Sequence, residues 1–212
     1  MNIKFKRILF ALIGVILTGV SVGIIQKSNL GTDPFSSFTT GLSNATNISF
    51  GIFYTIICAI ILIGVFILDK HYIGLATILN LFLIGIIADT TRETLEKIIT
   101  TDSYIVRIII LIGGIVIMCF SASLYFTADL GISAYDSVSK IMSDKIKMKF
   151  KICRITTDLI CVVIGVIFKA NVGIGTVITA FFMGPLISYF NVKFSEPILN
   201  NKKYENINSS KL

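Results

Sequence analysis

The chain has 212 residues, of which 54% are hydrophobic and only 15% charged, and its mean hydropathy is +0.87. That is far more apolar side chain than one soluble core of this size can hide, which excludes a water-soluble fold and points to an all-α integral membrane protein whose first partner is the lipid bilayer. The formal net charge of +7 would suggest nucleic acid in a soluble chain, but here the placement of the cations carries the information, and no nucleic-acid partner is expected.

A hydrocarbon core about 30 Å thick takes about 20 apolar helical residues to cross. Six runs qualify, at 8–27, 50–68, 73–89, 104–127, 150–168 and 173–191. The first follows Lys4, Lys6 and Arg7, but it is longer than a signal-peptide core and lacks a small-x-small cleavage site, so it reads as a retained span. Inside it, Gly19-Val20-Ser21-Val22-Gly23 has the letters of a hydrolase elbow without the strand-to-helix turn, and the sole histidine, His71, sits in a short loop. The same residues as G-x-x-x-G offer a close-packing face, echoed by Cys119 and Ser123. No catalytic residue, and hence no enzyme activity, is expected.

Between the first two spans lies an insert, Ser28-Asn29-Leu30-Gly31-Thr32-Asp33-Pro34-Phe35, whose Asp33 and Pro34 form an N-cap and first-turn pair. A short helix over 33–46 is predicted, with Phe35, Phe38 and Leu42 on one face. The third span carries Thr77 and Asn80, and ends at Asp89 as a gate or an exposed terminus. After the fourth span comes a matching insert, where Ser133 and Asp136 have capping-box spacing and a helix over 133–146 is predicted. At about 10 to 13 residues neither insert is long enough to span, so each either dips in as a re-entrant half-helix or lies flat at the interface. If they dip, their first-turn amides and positive dipole ends face the interior, with Asp33 and Asp136 beside them.

The fifth span holds Asp158 about 12 Å deep by helical rise. Placing a carboxylate there costs about 3 kcal/mol on the insertion scale. Arg154 sits one turn earlier on the same face, so Asp158 is either a solute or proton site or half of a structural ion pair. The sixth span carries Thr176 and Thr179, the counterparts of Thr77 and Asn80, each needing a neighbouring helix or a solute as partner. From about residue 193 to 212 the chain turns polar and reads as a cytoplasmic tail. The four cysteines lie inside apolar runs, with neither C-x-x-C nor H-x-x-x-H spacing, so no metal site and no cofactor is expected.

Sliding the sequence by 100 residues pairs Arg7 with Arg107, Gly14 with Gly114, Leu30-Gly31 with Leu130-Gly131, and Ser37 with Ser137; at an offset of 99 it pairs Gly74 with Gly173 and Thr77 with Thr176. This duplication divides a single membrane domain, 1–192, into repeat A (7–90) and repeat B (107–191). Each copy has three spans, so the second must enter from the other side, giving an inverted 3+3 repeat. The charges agree. With the N-terminus inside, 14 of the 19 Lys and Arg fall on the cytoplasmic side, six of them between Lys140 and Arg154, which puts both termini in the cytoplasm of a cell whose inner membrane the chain crosses.

At Leu30-Gly31-Thr32-Asp33-Pro34-Phe35, and again at Gly74-Leu75-Ala76-Thr77-Ile78-Leu79-Asn80 with Gly85 following, the chain resembles the bacterial YczE/YyaS/YitT family of multi-pass membrane proteins. That family's pattern has Pro-aromatic-acid after the first span; here copy one has Pro34, Phe35 and Ser36, and copy two Ala134, Tyr135 and Asp136. The resemblance implies a membrane protein of transport type with no named substrate.

The expected function is a permease for a small solute, with proton coupling through Asp158 as an option. Asp158, Arg154, Asn80, Thr77, Thr176, Thr179, Asp33 and Asp136 are the candidate solute-binding residues. Two alternatives stay open: a substrate-binding subunit that depends on a separate ATP-driven partner, and a non-transporting scaffold or regulator. A homodimer is compatible with each.

Overall fold

The structure is a computed structural model that describes residues 3–100, 103–148 and 150–199. Every regular element among them is helical. In chain order these are α1 (Ile3–Ser28), α2 (Pro34–Thr46), α3 (Phe50–Asp69), a 3-10 turn (Lys70–Tyr72), α4 (Leu75–Ile98), α5 (Tyr104–Ala128), α6 (Ala134–Ile146), α7 (Phe150–Ile167), α8 (Ile174–Phe190), a π turn (Asn191–Ser195) and α9 (Glu196–Leu199).

Lipid gives helices no hydrophobic reason to associate, so small residues and buried hydroxyls hold the bundle. Gly14 of α1 sits against Ser121 and Tyr125 of α5, while Gly114 of α5 sits against Ile24 and Ile25 of α1. That pairing of early with late residues makes α1 and α5, the matched first helices of the two copies, antiparallel. Thr18 and Ser121 share a hydrogen bond of 2.9 Å across the seam. Gly19 and Gly23 turn to α4 instead; a Cβ on Gly23 would lie 2.6 Å from the Ala88 carbonyl oxygen. The packing face read from G-x-x-x-G is the α1–α4 contact.

The repeat recurs in the backbone. Asn29 and Gly31 have φ of 53° and 98°, and Asp129 and Gly131 have 52° and 101°. Glycine is required at the second of each pair, because Gly31 abuts the Gly173 amide and Gly131 the Gly74 amide, each at 2.5 Å from a Cβ it does not have. These turns let each copy's loop clasp the other's fourth helix: Ala76 N–H donates to the Leu130 carbonyl and Gly175 N–H to the Leu30 carbonyl, both at 2.9 Å.

Among the described residues five helical stretches are long and apolar enough to cross a membrane: Ile3–Ser28, Phe50–Asp69, Leu75–Ile98, Tyr104–Ala128 and Ile174–Leu199. Their outward faces fit lipid, as on α3, where Ile52, Ile56, Ile60, Ile63 and Ile67 are all exposed at helical spacing. α7 is outside that set, since its 18 residues include Lys151, Arg154 and Asp158. The chain stays helical beyond two of the expected C-terminal limits. α4 continues past Asp89 to Ile98 on a charged turn held by an Arg92–Glu96 pair at 3.7 Å. After α8 the chain does not fray at residue 193: the π turn and α9 pack onto α5, with Ser195 fully buried and 2.6 Å from the Ser123 hydroxyl. The expected tail from residue 200 to 212 lies outside the described residues.

Candidate functional site

The two inserts are helices with mirrored caps. In α2 the Asp33 carboxylate accepts the Ser36 N–H at 3.0 Å, and Pro34 occupies the first turn, where its missing N–H costs nothing. In α6 the roles of acid and alcohol are exchanged: Ser133 Oγ accepts the Asp136 N–H at 3.1 Å and donates back to the Asp136 carboxylate at 2.7 Å. The second residues of the helices meet face to face, Phe35 on Tyr135, with ring centroids 4.7 Å apart and planes 16° from parallel. Tyr54 packs edge-on against Phe35 at 5.5 Å. In the matched place Arg154 lies over the Tyr135 ring, 4.5 Å from its centroid.

Around this stack gathers a cluster of buried charge. Arg154 Nη1 is paired with Asp136 Oδ1, and Arg154 Nε lies 3.3 Å from Asp158 Oδ1. Asp136 also accepts from the Tyr125 hydroxyl at 2.7 Å, and Asp158 from the Tyr135 hydroxyl at 2.5 Å. Thr157 joins the network by accepting from the Tyr135 hydroxyl at 3.3 Å, and shares a hydrogen bond of 2.9 Å with Ser139. Asp33 lies within electrostatic reach of Arg154 and Asp158; its Oδ1 is buried and has no hydrogen-bond partner. One guanidinium thus faces three carboxylates, and a buried carboxylate without its own compensating charge is strongly disfavoured.

Three of the expected site residues therefore meet, namely Asp136, Arg154 and Asp158, with Asp33 near enough to feel their charge but bonded to none of them. The other four do not join them through any hydrogen bond. The Thr77 hydroxyl donates to the Ile132 carbonyl at 2.7 Å, within the clasp between the copies, and also accepts the Gly74 N–H. Thr176 accepts the Gly173 N–H at 3.4 Å in the matched clasp, and Thr179 donates to the Gly175 carbonyl of its own helix at 2.9 Å. Asn80 differs from all three: it is 3% exposed, yet neither its Oδ1 nor its Nδ2 has a partner. Asp89 is not an exposed terminus, since α4 runs on to Ile98 and the carboxylate accepts the Gly51 N–H at 2.7 Å in the first turn of α3.

Sequence reasoning missed Tyr125 and Thr157 and gave Tyr135 no part in the site. A signal existed: at the offset of 100, Tyr125 replaces Ile25, Thr157 replaces Ile57, Arg154 replaces Tyr54 and Asp158 replaces Cys58. The departures from repeat symmetry concentrate where the polar cluster forms, and it is the second copy that supplies it.

The two ends of the bundle differ. Where α1, α4 and α7 end and α5 begins, a cavity of about 580 Å³ opens over Gly31 and Thr32, with Asn44 and Asn171 in its wall. At the opposite end the matched residues are Asp144 and Tyr72, and there the Tyr72 hydroxyl donates to the Asp144 carboxylate. That bond holds Asp144 below the usual carboxylate range, helped by Lys140, and pushes the Tyr72 phenol up to about 12. Thr127 bonded to Asn191 and Ser123 bonded to Ser195 close the same end.

A family profile described as a family of unknown function (DUF6198) matches residues 5–192. Among curated proteins the chain is similar to the uncharacterized membrane protein YczE of Bacillus subtilis, at 27% identity over 90% of this chain and 86% of that one. It is also similar to the uncharacterized protein YyaS of the same organism, at 26% identity over 84% of this chain and 89% of that one. An uncharacterized protein of Haemophilus influenzae matches at 26% identity over 88% of this chain and 84% of its own length. YczE and YyaS are two of the three names in the resemblance drawn from the sequence. No solved structure matches the chain. Together with the five long apolar helices, these relatives make it a membrane protein.

Proposed function

The chain belongs to the DUF6198 family, and from the charge cluster at the meeting of α2 and α6 we propose that it is a proton-coupled permease for a small solute, built as a six-crossing inverted repeat in the cell membrane. The observation that carries the reading is the stack of Phe35 on Tyr135. These are matched residues of the two inserts, and in an inverted repeat the inserts enter from opposite faces. Their first turns can touch only if each reaches the middle of the bilayer, which favours re-entrant half-helices over interfacial collars. The antiparallel course of α1 and α5 supports the inversion. α7 then serves as the remaining crossing, its Arg154 turned to Asp136 and its outer face holding Ile152, Leu159, Val163 and Val166, all exposed. The basic segment from Lys140 to Arg154 sets that end, and both termini, on the cytoplasmic side.

Within this frame the excess of carboxylates over guanidinium gives the site a use for a proton. Asp158 is the group that exchanges it, Arg154 and Asp136 hold it in register, and the unpartnered Asp33 oxygen and Asn80 amide are open to solute. Thr77, Thr176 and Thr179 have hydroxyls already engaged with backbone, so their part is to hold the clasps and helices around the site. The cavity on one side and the Tyr72–Asp144 bond on the other fit an outward-facing state, and exchange of the two matched ends would turn it inward.

A stability screen of the purified chain against metabolites identifies solutes that bind the folded form. In proteoliposomes, uptake of such a solute is expected to depend on pH, and Asp158→Asn to abolish that dependence while leaving some uptake. Unchanged pH dependence in Asp158→Asn removes Asp158 from the role, and no flux of any stabilising solute removes the permease.

A further inference from the structure

The cavity over Gly31 and Thr32 is separate from the four-charge cluster and has the opposite character. Lys27, Arg92, Arg107 and Lys169 line it against one acid, Glu96. Arg107 spends Nε on the Ser28 carbonyl at 2.7 Å and Nη2 on the Asn29 carbonyl. In doing so it satisfies the carbonyl end of α1, whose partial negative charge would otherwise oppose an anion. Lys27 and Lys169 are left as the positive wall, with Arg92 sharing its charge with Glu96. Polar atoms in the same wall lack partners. Gln26 Nε2 and Oε1, Thr40 Oγ1 and Arg92 Nε are all buried without a hydrogen bond. They make up four of the nine such atoms among the described residues, gathered on a single cavity. Buried donors and acceptors without protein partners mark a place where something else completes them.

We infer that this cavity binds an oxyanion, a carboxylate or phosphate group carried by a free solute or by a lipid headgroup. Arg92 presents a fork suited to paired oxygens, its Nε–H facing Glu96 at 3.7 Å without a hydrogen bond, the Gln26 amide and Thr40 hydroxyl supply neutral donors beside it, and Lys27 and Lys169 supply diffuse charge. The inference rests on the permease reading only in making the cavity an entrance; binding itself does not require transport. If transport follows, the anion waits among cations while the proton goes to the carboxylate cluster, so opposite charges travel together.

The full-length chain in phosphatidylcholine nanodiscs is melted with inorganic phosphate or succinate, against sodium chloride at equal ionic strength. A parallel arm replaces part of the phosphatidylcholine by phosphatidylglycerol. Saturable stabilisation by either free anion supports a solute oxyanion; saturable stabilisation by phosphatidylglycerol alone supports the same site with a headgroup as its occupant. Arg92→Gln is expected to weaken the effect about tenfold, the loss of one charge-assisted hydrogen bond, and Arg92→Lys by less. Lys145→Gln, at the other end, is expected to leave it unchanged. No stabilisation beyond that of chloride in either arm overturns the inference, as does equal stabilisation of wild type and Arg92→Gln. Binding without flux would instead count against the permease alone.

Discussion

Removing the guanidinium of Arg154 exposes how the central cluster is balanced. Its side chain is 30% exposed, but those of Asp136 and Asp158, both paired with it, are 9% and 8% exposed. Arg154→Leu therefore leaves two buried carboxylates with only the Tyr125, Tyr135 and Ser133 hydroxyls for compensation. Breaking a buried pair from one side costs about 3–5 kcal/mol, whereas replacing all its members by neutral groups is often close to free. For a chain of this size that loss lowers the melting temperature by on the order of 10 °C. The assay is thermal melting in detergent of wild type, Arg154→Leu, and Arg154→Leu combined with Asp136→Asn and Asp158→Asn. The single variant should fall by that amount and the triple variant regain most of it. A single variant within about 1 kcal/mol of wild type, or a triple variant no better than the single, would refute the claim that these charges are mutually dependent.

Close packing gives a second expectation. Gly23→Ala forces a methyl to 2.6 Å from the Ala88 carbonyl oxygen and should cost about 1–3 kcal/mol as α1 and α4 part. Gly64→Ala, with nothing within 4 Å of the added carbon, should be neutral or stabilise by up to about 1 kcal/mol from helix propensity, by the same melting assay. The Tyr72–Asp144 bond has limits at both ends of the pH scale. Asp144 is depressed in the folded chain, so its contribution is present above the ordinary carboxylate range and lost as pH falls through the lower folded value. Tyr72 is raised to about 12, so its contribution is full below the ordinary phenol range and lost as pH rises towards 12. Tyr72→Phe should flatten both limbs of the stability profile, and unchanged limbs would show that the bond contributes nothing.

Much of this architecture is readable in the letters because local chemistry repeats. Leu30-Gly31 and Leu130-Gly131 announce the same left-handed turn, and Asp33-Pro34 and Ser133-x-x-Asp136 announce the caps of α2 and α6. The spacing of Arg154 and Asp158 offers their pairing as one of two readings, and the pair forms. What stays hidden is tertiary. Nothing local tells that Arg154 also reaches back to Asp136, or that Tyr125, an isolated polar group in an apolar helix, bonds to the same carboxylate. The extra turns of α4 are missed because hydropathy ends at Asp89 while helix propensity and the Arg92–Glu96 pair carry on. Residues 193–199 read as tail because the hydroxyl that binds Ser195, that of Ser123 on α5, is 72 residues away in sequence.

The central claim is that the two copies thread the membrane in opposite senses. Ala45 and Lys145 are matched residues, exposed near the ends of α2 and α6. With the four native cysteines replaced, single cysteines at Ala45→Cys and Lys145→Cys are labelled in intact cells with a membrane-impermeant maleimide. Position 45 should react from outside and position 145 only after the membrane is opened. Labelling of both from the same side would contradict it.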